Sequence, residues 1–212
     1  MITFLNHEEQ HQHENGGGWV ANTATVEATV YVGPNARVYG NAHVSGNARV
    51  YGNAHVSGNA VVSGDARLSG NAEVSGNAKV SGNARVYDGA QVFGDARVFD
   101  DARVFGDARI SGNAQVSGHA WVTGNARVTG NAQVYGAAWV TDNAWEMSPL
   151  YIQGTKHSVT NCAHGHIAIG CLVHTFAEWK AKYKAIGKAE GYTAAQIKEY
   201  GLHIAYVIKV GK

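Results

Sequence analysis

From Gly18 to Ala144 the apolar positions keep a period of six, with no insertion or deletion. A small residue recurs at Ala36, Ala42, Ala48, Ala54 and onward to Ala144, and a branched one follows two places later, at Val38, Val44, Val50, Val56, Val62, Leu68 and onward to Val140. A polar residue stands between them. Ser, Tyr, Phe or Thr comes after the branched residue, and then Gly-Asn or Gly-Asp. Residues two apart share one side of an extended strand, so Ala and Val face one way and their neighbours the other. Gly accepts positive φ, and Asn and Asp tolerate the left-handed region better than most residues do. Each six-residue word is therefore a very short strand plus a corner. One word cannot bury its Val, but a stack of words can, as repeat architectures require.

Three such corners close a triangular coil of about 18 residues, so residues i and i+18 stack at about 4.8 Å. The run then makes about seven coils. This word resembles the hexapeptide repeat of left-handed parallel β-helices, in which an aliphatic residue and a small residue two places before it fill the interior. The resemblance implies a mainly β, left-handed rod over residues 18–147. Segment 1–17 precedes the rod and 148–212 follow as a second unit.

The two ends of the run look different. Met1–Asn15 is polar and reads as mobile, with His7, His11 and His13 as an incidental cluster that could catch a metal. Trp19 is expected to cover the open end of the first coil, because an uncapped solenoid exposes core and strand edges. After Ala144 the word breaks at Glu146, Ser148 and Pro149. Leu150–Gln153, Lys156–Thr160 and His166–Ile169 read as short strands. Thr175 to Glu178 and Thr193 to Gln196 are capping boxes. The first opens a helix with Phe176, Trp179, Tyr183 and Ile186 on one stripe, ended at Gly191. The second opens one with Ile197, Tyr200, Ile204, Val207 and Ile208 at helical spacing. Residues 148–212 thus form a small α+β module with two helices. The chain also resembles uncharacterised repeat proteins of phages and prophages. The likeness rests on Gly17–Val20, on Ile169–Cys171 and on the helix carrying Trp179, and it implies a phage-infected or lysogenic bacterial setting.

Composition adds little to this fold and bounds the function. The formal net charge is +1 over 212 residues. It is uneven: residues 1–17 are acidic, the rod is nearly neutral, and the eight lysines after residue 148 outnumber three glutamates. A rod that is not basic overall argues against binding long duplex nucleic acid. No apolar stretch is long enough for a membrane span. The opening residues do not read as a signal peptide, and two cysteines make no disulfide framework. The expectation is a cytoplasmic protein.

Candidate chemistry is sparse in the rod and denser after it. Hexapeptide-repeat acyltransferases, which use acyl-CoA or acyl-carrier protein, place a catalytic His between neighbouring rods. Here His43, His55 and His119 are available, but no loop interrupts the coils to build a pocket around them, and no orienting partner is evident. The related γ-type carbonic anhydrases use a His-x4-His spacing that this rod lacks. Cys162, His164, His166, Cys171 and His174 are ligand types that suit zinc, at spacings of no common finger. They are weak metal candidates, and no cofactor is expected. Sorting outward residues by the stack gives a stronger feature. One column reads Tyr31, Arg49, Arg67, Arg85, Arg103, Trp121 and Trp139, beside a second of Gly33, Tyr51, Ser69, Tyr87, Phe105, Thr123 and Thr141. Stacked like charges repel. Guanidinium groups match phosphate or carboxylate in bidentate fashion and stack on aromatics. Arg49, Tyr51, Arg67, Arg85, Tyr87 and Arg103 are therefore the candidate ligand-binding residues, for a nucleotide or an acidic protein partner. The competing reading is that the arginines splay into water and pair with Asp65, Asp88 and Asp107. Phe93, Phe99 and Phe105 ring one coil, as a contact belt or lying flat on their neighbours. The sequence thus points to a non-enzymatic, self-associating binding scaffold, a trimer or dimer. Capture of a nucleotide signal in an anti-defence role and acyl transfer are the alternatives.

Overall fold

The structure, a computed structural model, describes residues 9–142, 144–145 and 148–211. The chain winds into a three-sided parallel β-solenoid of about seven turns and ends in a four-stranded antiparallel sheet with two helices. Each side of the rod is one parallel sheet of two- or three-residue strands. Partners lie 18 residues apart, as in Arg67 with Arg85 and Leu68 with Val86. Successive turns are joined by backbone bonds such as Arg49 N–H to the Ala66 carbonyl (2.9 Å) and Tyr51 N–H to the Leu68 carbonyl (3.0 Å). The strands are too short to stand alone. Their ladder donors and acceptors are supplied by the turns above and below.

The period-two reading of each word holds inside the rod. Ala36 through Ala138 and Val38 through Val140 form one continuous interior, with Leu68 and Ile110 as its two larger members. Burying each Val contributes about 1.5–3 kcal/mol, and the small residue beside it leaves room for the facing sides to meet.

The corners carry two devices. The first is positive φ at the Gly of each word. Gly58 has φ +67°, and a Cβ there would stand 3.0 Å from the backbone of Gly76 one turn on. Asp88 and Asp100 occupy the same place with φ +59°, and their carboxylates accept the N–H of Gly106 (3.4 Å) and Gly118 (3.1 Å). The second is an amide ladder. Asn41 donates to Asn59 (3.4 Å), Asn59 to Asn77 (3.1 Å) and Asn77 to Asp95 (3.1 Å). A carboxylate only accepts, so Asp95 closes that run.

Both ends of the rod correct the sequence expectation. Segment 9–18 is ordered. Gln10–Gln12 pairs antiparallel with Trp19–Ala21. The Asn15 carbonyl and the Gly18 N–H then satisfy the open edge at Val32 (3.0 and 2.9 Å). His13 is buried and His11 bonds Asn22 (2.9 Å), while His7 lies outside the described residues. This hairpin closes the first turn. Trp19 instead faces outward beside Arg37 and stays 36% exposed. At the far end the register slips by one. Ala144 pairs with Arg127 and Trp145 with Val128, so Trp145 turns inward and Ala144 outward. An indole plugs the last turn better than a methyl group, and its Nε1 donates to the Asp142 carbonyl (3.1 Å). The Tyr151 ring lies over Gly136 and packs with Tyr135 at 5.6 Å.

In the C-terminal module, strands Tyr151–Gln153, Ser158–Ala163, His166–Ile169 and Leu172–Thr175 form a meander. The last of these has no counterpart in the sequence reading, and Ser158–Ala163 runs three residues beyond the expected strand. Helices α1 (Phe176–Ala189) and α2 (Ala194–Val210) each begin with the expected capping box. Hydrogen bonds from the Thr175 backbone and hydroxyl hold the Glu178 carboxyl below its usual range. Trp179, Tyr200, Ile204 and Val207 pack with Val159, Ile167 and Ile169. The buried Trp179 Nε1 donates to the Ile167 carbonyl (2.8 Å).

The corner geometry ranks substitutions at Gly58. Gly58→Asp can copy Asp88 and should cost about 1 kcal/mol or less, whereas β-branched Gly58→Val should cost about 2 kcal/mol or more. Thermal unfolding of the two variants checks this, and equal losses would refute the account.

Candidate anion-binding face

The alternation that sends Val inward sends the residues on either side of it outward, so every face carries two outward columns. On the face holding Arg67, the register places Tyr31, Arg49, Arg67, Arg85, Arg103, Trp121 and Trp139 in one line. The six candidate residues therefore lie on one face. The aromatic column beside them is partly stacked. Tyr87 and Phe105 rings are parallel within 2° at 4.9 Å, and Phe105 meets Trp121 edge-on at 6.1 Å. Burial in this stack raises the Tyr87 phenol pKa. Arg103 and Arg85 oppose that shift, and Asp88 reinforces it.

The arginines are not equivalent. Arg49 lies over the Tyr31 ring (5.1 Å to its centre) and Arg103 over the Trp121 ring (5.0 Å). Such contacts spread a cationic charge onto the ring quadrupole. Arg67 and Arg85, the middle pair, have neither ring nor carboxylate partner among the described residues. The ion pairs there within 4.0 Å all involve histidine. The expected pairing with corner acids does not form. Asp65 instead accepts from Asn47 (3.2 Å), and Asp88 from the Gly106 N–H. Asp101 accepts from Asn83 (3.1 Å) and faces His119 at 3.8 Å. Two open grooves flank the middle pair. One of about 240 Å³ is lined by Tyr51, Arg67, Ser69, Arg85, Tyr87 and Arg103. The other, of about 290 Å³, adds Asp65, Asn83 and Asp101 to the three arginines. Sequence reasoning tabulated Ser69 without giving it a role. Its signal is a hydroxymethyl group with a ring one turn to either side, at Tyr51 and Tyr87.

The histidines of the rod are dispersed. His43 stands on a second face, His55 on the third with its ring edge-on to Tyr39 at 6.2 Å, and His119 at a corner. In the aromatic belt, Phe105 is taken up by the stack, Phe99 is half-buried and Phe93 is exposed.

The Cys/His group of the C-terminal module does not converge. Among the described residues no three His, Cys, Asp or Glu side chains are placed to hold a metal ion. Cys162 is buried within its strand. His164 is in the turn that follows, and its carbonyl lies 2.9 Å from His166 Nδ1. Cys171 is exposed at the opposite end of the next hairpin, between Ile169 and Leu172. His174 packs edge-on against Trp179 at 5.0 Å and lies 3.9 Å from Glu178. The hairpin separates side chains that are close in sequence.

Seven windows, 36–52, 42–58, 48–64, 78–94, 90–106, 102–118 and 114–130, which together cover residues 36–64 and 78–130, match the model of the YdcK beta solenoid repeat. The rod is a repeat β-solenoid. The match includes all six candidate residues except Arg67, and none of the C-terminal module. Neither curated proteins nor solved structures give a match to the chain. No helix among the described residues is long and apolar enough to cross a membrane.

Burial pushes the Cys162 thiol up to about 11. A thiol held protonated is a poor nucleophile and a poor metal ligand. A disulfide-exchange reagent at neutral pH should therefore titrate one thiol, Cys171, in the folded protein and two after denaturation. Two fast thiols in the native state would contradict the packing described.

Proposed function

We propose that the chain is a non-enzymatic binding scaffold, a rigid β-solenoid that offers its arginine–aromatic face to an anionic ligand or acidic partner. The observation that carries this reading is the middle pair, Arg67 and Arg85. Two guanidinium groups are stacked one turn apart and face open grooves, and among the described residues neither has a carboxylate within 4.0 Å or lies over a ring, although Asp65 and Asp101 border one groove and Tyr51 and Tyr87 the other. Like charges directly opposite in a sheet destabilise it. A bound phosphate or carboxylate reverses that cost and gains bidentate hydrogen bonds. The dispersed positions of His43, His55 and His119 support binding over acyl transfer. Self-association as a dimer or trimer, and a phage-type setting, rest on the sequence resemblance alone.

Inorganic pyrophosphate is a suitable first probe, titrated calorimetrically at low ionic strength. The wild-type chain should bind it, and binding should weaken steeply with salt. The double variant Arg67→Glu/Arg85→Glu should lose binding at least tenfold while keeping its thermal midpoint, since two of the three stacked like-charge contacts become opposite-charge pairs and one remains. Undiminished binding in the folded variant would refute the reading.

A further inference from the structure

Tyr51, Ser69 and Tyr87 occupy successive turns of one outward column on the arginine face, beside Arg49, Arg67 and Arg85 in the same turns. Where two rings of this column are neighbours, as Tyr87 and Phe105 are, they stack in parallel at 4.9 Å. At Ser69 the ring is missing. Tyr51 and Tyr87 are two turns apart, about 9.6 Å by strand spacing. One planar ring at the level of Ser69 would thus repeat the Tyr87–Phe105 separation on both of its faces. The same two turns hold Arg67 and Arg85, the pair with no ion-pair or ring contact among the described residues, and one groove joins all five residues with Arg103.

Resting on the anion-binding reading above, we infer that this groove takes a small molecule combining a planar ring with an anionic group, of the nucleoside monophosphate class. The ring fills the gap over Ser69 between Tyr51 and Tyr87, and the phosphate lies against the Arg67 and Arg85 guanidinium forks. Base faces stack on aromatic side chains with little regard to sequence, and planar guanidinium groups match phosphate oxygens. The gap admits one ring only, because Tyr51 and Tyr87 bound it at about 9.6 Å. A volume of about 240 Å³ also falls below that of pockets for larger ligands. These limits favour a single nucleotide over a polymer.

The experiment is calorimetric titration of the full chain with adenosine 5′-monophosphate, adenosine and ribose 5-phosphate. The monophosphate should bind at least tenfold more tightly than either fragment. Ser69→Tyr fills the gap with the protein's own ring and leaves every charge in place. It should cut monophosphate affinity at least tenfold while sparing ribose 5-phosphate. Ser75→Tyr, on another face, serves as the control and should change nothing. Equal affinity for the monophosphate and ribose 5-phosphate, or full monophosphate binding by Ser69→Tyr, overturns the ring site. If in that case Arg67→Glu/Arg85→Glu still abolishes binding of ribose 5-phosphate, the anion-binding reading stands without it. If neither phosphate binds at millimolar concentration, both readings fall.

Discussion

The hydrogen-bonded stacking of residue i on residue i+18 governs the rest of the molecule. A strand of two residues has no stability of its own, so each turn exists because another turn satisfies its backbone. The stack also forces like onto like, and its effect depends on position. In the interior, Val on Val and Ala on Ala give a dry column at close packing. At the corners, Asn on Asn gives a ladder of side-chain amide hydrogen bonds that an acceptor-only Asp brings to a stop. On the outside, Arg on Arg gives repulsion. The same register that builds the core therefore sets the electrostatic problem on the surface.

How far this was legible in the sequence depends on whether a residue obeys the period. Inward and outward assignments from Ala36 to Val140 follow from spacing alone, and so do the membership of the arginine face and the two helix starts. Ala144 reads as the inward small residue of the last word, and the structure differs because the slip occurs inside an apparently intact word. Spacing sees Ala144 in register, while packing prefers the indole in the last open turn. Trp19 was given the role of end cap because large apolar residues near an end suggest one. The edges are instead closed by backbone from segment 9–18, whose polar sequence carries no such signal. The Cys/His group looked dense because sequence distance ignores the hairpin, which places Cys171 at one end and His164 at the other. The strand Leu172–Thr175 was hidden by the helix start that follows it directly.

At the candidate face, the sequence names the column, and three-dimensional geometry decides which members are free. Six corner acids, Asp65, Asp88, Asp95, Asp100, Asp101 and Asp107, lie near the arginines in sequence, enough on paper to neutralise them. A carboxylate at a corner is held by its own turn of backbone and by the amide stacked on it, as Asp65 is by Asn47. Asp65 and Asp101 thus border the groove beside the arginines without coming within 4.0 Å of a guanidinium nitrogen. Aromatic rings are different, because they stand in the outward column itself. Tyr31 and Trp121 reach Arg49 and Arg103, and the two arginines between them are left out. The distinction between outer and inner arginines is thus a matter of which turns carry a ring in line.

The unrelieved pair is not forced by the architecture. On the neighbouring face the same outward column reads Arg37, His55, Glu73, Gln91 and Arg109, and Gln91 Nε2 donates to the Glu73 carboxylate across one turn (3.2 Å). One acid at the level of Arg67 or Arg85 would solve the repulsion in the same way, with no change to core or corner. A neutral residue would do nearly as well. The solenoid can accommodate either, since outward residues on this rod vary freely among Arg, Lys, His, Glu, Gln, Val and Trp while the interior does not. Four consecutive arginines, the central two without an ion-pair or ring contact among the described residues, stand next to the one position of the second column that has a ring on each side, and this runs against what stability alone would select. Proteins that break a local rule without internal compensation most often do so at functional sites. Here that argument singles out the two turns carrying Arg67, Ser69, Arg85 and Tyr87.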